Sequence, residues 1–332
     1  MRFGFSLNET YLLILAVLVT IATVSTIYGQ FALKKAAWAE QIDRIRTVNS
    51  RVRMLWWLIV IFSFAFWFHP TVLIIIFAII SFFALREFIA LTPTKSSDHW
   101  ALVLSFYVVI PLQYALVALD YRALFTLFIP VYLFLLLPVL MAVKRDNELF
   151  FDRVAKIQWG LMLSIYCISH APALLNFEVD RFGSTASFLL IFFLLVVFLG
   201  DLFVVIMSAF LGGKTLFDNP HKTVKGLAAG GILAVLCGYG LFWMTPFRSW
   251  QALLMSLVIL GAGTMGDMVI AAVKRSIGSR FMDGDKYMTR GVLERLAPLM
   301  FAAPLFYHIT QAFFLLNVFE ELPLPAWLSF LG

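Results

Sequence analysis

Apolar residues run through this chain in long blocks, and polar residues gather in short clusters between them. The blocks predict about ten helical spans, at roughly 10–29, 54–68, 70–85, 101–118, 123–143, 157–176, 186–206, 224–244, 250–273 and 296–317. A helix needs about 20 apolar residues to cross a hydrocarbon core of about 30 Å, and most of the blocks approach that length. The second and third blocks are short and separated only by His69 and Pro70, which predicts a tight helical hairpin. The first block is too long for a signal peptide and lacks a small-residue cleavage pattern. The fold class is therefore an all-α, polytopic integral membrane helical bundle. It divides into an N-terminal helix with a basic segment (1–53), a middle set of helices (54–185) and a C-terminal region that carries the candidate chemistry (186–332).

Composition agrees with the pattern. Of 332 residues, 62% are hydrophobic and 13% are charged. Soluble domains hold about a quarter charged residues, so a soluble reading is excluded. Cys167 and Cys237 both lie inside apolar blocks and offer no zinc spacing and no disulfide framework.

The charges set a topology. With the N-terminus outside, the inside loops are 30–53, 86–100, 144–156, 212–225 and 274–295, and they carry 21 of the 25 Lys and Arg residues. Positive loops stay in the cytoplasm, so both termini are expected on the non-cytoplasmic side, with a bacterial inner membrane as the setting. The net charge of +6 is then topological, and no nucleic-acid partner is expected. The basic segment "FALKKAAWAEQIDRIRTVNSRVR" (31–53) reads as a surface helix on anionic lipid headgroups, and nothing in it supports a docking role.

Charges inside membrane spans are rare and usually functional. Asp201, in "LLVVFLGDLFVVIMSAFLGGK", and Asp267, in "LGAGTMGDMVIAAVKR", are two such acids. Each is read either as a site residue or as a carboxylate paired to a base that ties helices together. Asp267, Ala271 and Lys274 share a helix face, with about 10 Å along the axis between first and last. Gly261, Gly263 and Gly266, like Gly226, Gly230 and Gly231, equally suit close helix packing.

A second charged site is "GGKTLFDNPHKTVKG" (212–226). Lys222 and Thr223 open a helix after an Asn-Pro turn. That arrangement suits either a phosphate cradle or a solvated turn. The Gly and Lys spacing is not that of a Walker A loop. His170 and His308 read as hydrogen-bonded interior residues, and His69 and His99 as interfacial ones.

The order of these motifs resembles the phosphatidate cytidylyltransferase family, the CDP-diacylglycerol synthases, over about residues 55–315. The family turn Ser-Pro-Gly-Lys-Thr-x-Glu-Gly is matched by "NPHKTVKG" at Pro220, Lys222, Thr223 and Gly226. The family signature aligns without a gap at Lys274, Arg275, Gly278, Gly291 and Arg295, with Arg280 for Lys and Glu294 for Asp. Ala271, Phe281, Thr289, Arg290 and Ala297 depart from it, and two of these, Phe281 and Ala297, replace acids. The resemblance implies condensation of phosphatidate with CTP to CDP-diacylglycerol and pyrophosphate, with Mg²⁺, and a second cation where the site takes one, as cofactor. It implies catalytic roles for Asp267, Lys274, Arg275 and Arg295. It further implies phosphate binding by Lys222, Thr223, Arg280 and Arg290, and metal binding by Asp201, Asp267 and Glu294. Membrane lipids and a homodimeric partner are expected on the same ground. The lost acids also support an inactive relative that binds lipid or a partner. A transporter ranks last, because no inverted-repeat pattern is present.

Overall fold

The computed structural model describes residues 7–36, 38–67, 69–92, 94–144, 146, 148–177, 186–216, 219–278 and 291–316. Nearly all of them are helical, as the apolar blocks predict. In chain order the helices are α1 (Leu7–Lys35), α2 (Ala39–Trp67), α3 (Pro70–Leu91), α4 (Ser96–Ala118), α5 (Arg122–Ala142), α6 (150–173), α7 (Ala186–Leu211), α8 (Val224–Gly240), α9 (Ser249–Gly278) and α10 (Val292–Leu316). Six of the described helices (α1, α3, α4, α5, α7 and α9) are long and apolar enough to cross a membrane, and α8 is apolar but shorter.

Local chemistry sets several boundaries. α2 ends at Trp67, and α3 restarts with Pro70 at its first position and His69 as its N-cap. Proline lacks the N–H that the first helical turn leaves unused, so it suits that place. One element differs from expectation. The basic segment is not a separate surface helix, because Ala39–Trp67 is one unbroken helix that carries residues 39–53 straight into the apolar block. Thr47, Ser50 and Arg51 on this helix are buried, whereas a helix lying on headgroups would expose them.

α7 is the centre of the bundle. Most of its side chains are buried, and it packs against α2, α8, α9 and α10. The α7–α8 contact is close because α8 meets α7 with glycines. A Cβ on Gly230 would stand 2.6 Å from the backbone of Val204, and one on Gly226 would stand 2.6 Å from that of Ser208. Small residues let helix backbones approach in this way. Between α7 and α8, β1 (Thr215–Leu216) pairs antiparallel with β2 (Asn219–Thr223), with Thr215 opposite Thr223. The left-handed backbone at Gly212 and Gly213, where a side chain is disfavoured, turns the chain into this ribbon.

The start of α10 is fixed from a distance. Glu87 of α3 accepts hydrogen bonds from the backbone N–H groups of Val292 and Leu293. These are among the N–H groups that a helix leaves without an internal partner, and the positive end of the helix favours the carboxylate. A Cβ on Gly291 would collide with Glu87 Oε1, which is a physical reason for glycine there.

Candidate active site

Three polar elements converge beside α7. Asp201 sits on α7 itself. Lys222 is the fourth residue of β2, just before α8. Asp267 lies on α9, and both α8 and α9 pack near α7. The Lys222 ammonium donates to Asp201 Oδ1 at 2.5 Å and also to Asp267 Oδ2. The other oxygen of Asp201 is held by Arg51 of α2, with Nε 2.9 Å away. Asp201, Lys222 and Arg51 are buried, and the Asp267 side chain is only 11% exposed.

Charge balance explains why such a cluster is stable. Two buried carboxylates face two buried cations, so the quartet is formally neutral. Unpaired charges at this depth would cost several kcal/mol each, roughly. Burial opposes the charged form of Lys222, but the adjacent carboxylates of Asp201 and Asp267 outweigh it and raise its pKa, so the ammonium stays protonated at neutral pH.

The turn around Lys222 is built to hold it. Thr223 caps α8, its hydroxyl accepting from Gly226 N at 3.0 Å, and its own N–H donates to Ser208 Oγ of α7 at 2.9 Å. Asn219 Oδ1 accepts from His221 N at 3.0 Å, and His221 Nδ1 lies 3.2 Å from Thr47 Oγ1 of α2. Thr223 is thus engaged as a helix cap rather than projecting as a free hydroxyl, and the turn is tied to both α7 and α2.

A narrow recess opens from this cluster, with ≈ 310 Å³ of empty space including its mouth. Asp201, Lys222 and Asp267 form its polar end, and Val196, Val197, Ile259 and Leu260 are among its apolar lining, with Thr264 also at the wall. The polar end lies toward the C-terminal ends of α7 and α9, and the apolar walls lie one to two turns back toward their starts.

The remaining expected residues fall elsewhere. Glu294 does not join the acid pair: its carboxylate accepts from Lys274 at 2.9 Å, two turns along α9 from Asp267. Among the described residues no three His, Cys, Asp or Glu side chains come together as a metal site. The expected set of Asp201, Asp267 and Glu294 is therefore a pair plus a separate ion pair. Arg275 is exposed near the end of α9, and Arg295 is half-buried in the first turn of α10. Arg280 and Arg290 lie outside the described residues. Ala297, where the resembled family has an acid, is fully buried, and its carbonyl oxygen fills the space where a Cβ on Gly266 would stand. The α9–α10 contact therefore has little room for a longer side chain on Gly266.

Arg51 is the residue that sequence reasoning missed. Its only signal is weak: Thr47 and Arg51 repeat at helical spacing on a segment whose cations read as lipid-facing. The structure gives it a checkable role. Arg51→Ala leaves a net negative charge around Asp201 and is expected to lower thermal stability, with Arg51→Lys recovering part of the loss. Unfolding of the detergent-purified variants, followed by fluorescence-detected size exclusion, measures this. Equal unfolding of wild type and Arg51→Ala would remove Arg51 from the cluster's energetics.

Asp201 and Asp267 each turn one carboxylate oxygen onto the same buried ammonium, a hard-oxygen pair of the kind that Mg²⁺ takes together with water and substrate phosphates.

The Cytidylyltransferase family model matches residues 49–313. The Escherichia coli (strain K12) protein called "Uncharacterized protein YnbB" is 30% identical over 303 residues, which are 90% of this chain and 97% of that protein. The phosphatidate cytidylyltransferase of Aquifex aeolicus (strain VF5) is 28% identical over 144 residues, 42% of this chain and 54% of that protein. The phosphatidate cytidylyltransferase of Bacillus subtilis (strain 168) is 26% identical over 183 residues, 54% of this chain and 65% of that protein.

Proposed function

From the premise that this chain belongs to the cytidylyltransferase family, we propose that it is a membrane-embedded enzyme condensing phosphatidate with CTP. The products are CDP-diacylglycerol and pyrophosphate. The single observation that carries this reading is the buried Asp201–Lys222–Asp267 cluster at the polar end of a recess with apolar walls.

The chemistry needs no external oxidant or base. A phosphatidate oxygen forms a bond to the α-phosphorus of CTP, and the bond from that phosphorus to its bridging oxygen breaks as pyrophosphate leaves. Both substrates are polyanions, so the barrier is dominated by charge that must be neutralised. Asp201 and Asp267 are the residues that would hold Mg²⁺, which supplies neutralisation and orientation of phosphate oxygens when bound. Lys222 lies beside them as a phosphate cation. Arg51 keeps Asp201 in place. Lys274, Arg275 and Arg295 sit near the adjoining ends of α9 and α10, where they extend the positive surface available to incoming phosphates, with Glu294 orienting Lys274. The apolar recess walls suit a lipid substrate. The excess of Lys and Arg in the loops at this end supports a site facing the cytoplasm of a bacterial inner membrane, with both chain termini on the other side.

A second reading, an inactive relative that binds lipid or a partner, is favoured by Ala297 and by the pairing of Glu294 with Lys274 rather than with the acid pair. One assay separates the two. Purified protein is given radiolabelled CTP and phosphatidate in micelles, with Mg²⁺ or EDTA, beside Asp267→Asn. The expected result is a liponucleotide formed only with Mg²⁺ and reduced at least about 10³-fold in the variant, or some 4 kcal/mol of barrier. Intact protein with both substrates in excess and no product would leave the binding role as the reading.

A further inference from the structure

We propose that Lys222 is the resident cation of the seat between Asp201 and Asp267, and that a divalent cation takes its place there and frees the ammonium for substrate phosphate. The proposal rests on the transferase reading for its purpose, but its geometry stands alone. One ammonium touches an oxygen of each carboxylate, so it occupies the space between them that a cation held by both acids would need. Two cations cannot share that space, so one has to leave for the other to enter.

Arg51 makes the exchange workable. It holds Asp201 Oδ2, while Lys222 uses Oδ1. When the ammonium withdraws, Asp201 stays anchored and presents the oxygen just released. Lys222 stands on β2, outside the long helices that carry Asp201, Asp267 and Arg51, and its long side chain can swing away while the tied turn keeps its place.

The charge count gives the exchange a direction. With Lys222 seated, the two acids and two bases sum to zero. With a dication seated, the same acids and Arg51 sum to one positive charge, and Lys222 adds another beside it. A positive site of this kind attracts a polyphosphate and is costly without one. Cation and nucleotide are therefore expected to bind with mutual support, and cation affinity in the absence of nucleotide is held down by the lysine. Coupling of this kind is reciprocal by linkage.

The test uses the full chain in detergent without nucleotide. Mn²⁺ binding is read from the loss of the free-ion electron paramagnetic resonance signal. Lys222→Met removes the resident charge and is expected to raise Mn²⁺ affinity by about tenfold or more, given the strength of a unit charge at hydrogen-bond distance. The double variant Lys222→Met/Asp267→Asn is expected to lose that gain. In the wild-type protein, saturating Mg²⁺ is expected to raise acetylation of Lys222 by acetic anhydride, read by mass spectrometry. This second readout decides the matter if Lys222→Met does not fold. Unchanged or weaker Mn²⁺ affinity in folded Lys222→Met overturns the proposal, as does acetylation of Lys222 that Mg²⁺ leaves unchanged. Liponucleotide formation is measured separately. Product without these effects overturns the exchange alone, and these effects without product overturn the transferase reading alone.

Discussion

Asp201→Ala is expected to cost the protein about 3–5 kcal/mol, the range seen when one partner of a buried ion pair is removed. The effect is large because Asp201 serves two cations. Lys222 holds one oxygen and Arg51 the other, and all three residues are buried. Removing the acid leaves two cations with Asp267 as their one nearby carboxylate. The double variant Asp201→Ala/Arg51→Met restores the balance, because Lys222 and Asp267 still pair. It is therefore expected to be more stable than Asp201→Ala alone, although it lacks one more native side chain. Denaturation of the wild type, both single variants and the double variant in one detergent measures this, and the coupling from a double-mutant cycle should be well above the few tenths of a kcal/mol found for independent sites. Additive losses would mean that Arg51 and Asp201 do not share their energetics. The enzymatic consequence goes further than stability. On the proposed transferase reading, in which Asp201 and Asp267 together hold the cation, both Asp201→Ala and the double variant are expected to lose liponucleotide formation.

Gly230→Ala is expected to destabilise the bundle by about 1–3 kcal/mol, the usual cost of forcing an extra methyl into a packed interface. Two effects compete. Alanine favours a helix over glycine by about 1 kcal/mol, which would stabilise α8 if the methyl had room. It has none, since a Cβ would stand 2.6 Å from the Val204 backbone, and backbone cannot rotate aside as a side chain can. α7 and α8 must separate, so packing wins over propensity. The separation also disturbs the site, because Val204 is one turn from Asp201 on α7 and Lys222 leads into α8. Loss of product formation beyond the loss of folded protein is the expected result. Gly261→Ala is the control. Beyond the adjoining backbone of its own helix, nothing lies within 4 Å of the place its Cβ would take, so the helix gain should appear there without the penalty. Equal behaviour of the two variants in thermal unfolding would refute the packing argument.

Much of this protein is determined by its sequence alone. Helices are forced because no other open structure satisfies backbone hydrogen bonds within lipid, and the apolar blocks mark where they run. Asp201, Asp267 and Lys222 stand out as candidates because a charge inside an apolar block, or at a helix start after an Asn-Pro turn, needs a reason to be there. What the sequence leaves open is partnership. Asp201 and Asp267 each read as a site acid or as one half of an ion pair, and the structure pairs both with the same ammonium at the end of a recess. The separation of Glu294 from the acid pair is not legible, since its distance from Asp267 depends on how α9 meets α10. Arg51 shows the limit most plainly. Charge and amphipathicity say that residues 39–53 are basic and helical, which fits a headgroup-facing segment as well as a buried one. Only the packing of α2 against α7, with Arg51 and Asp201 about 150 residues apart in the chain, turns Arg51 inward onto Asp201. Periodicity records which residues share a face of one helix, and the choice of the helix that covers that face belongs to the tertiary structure.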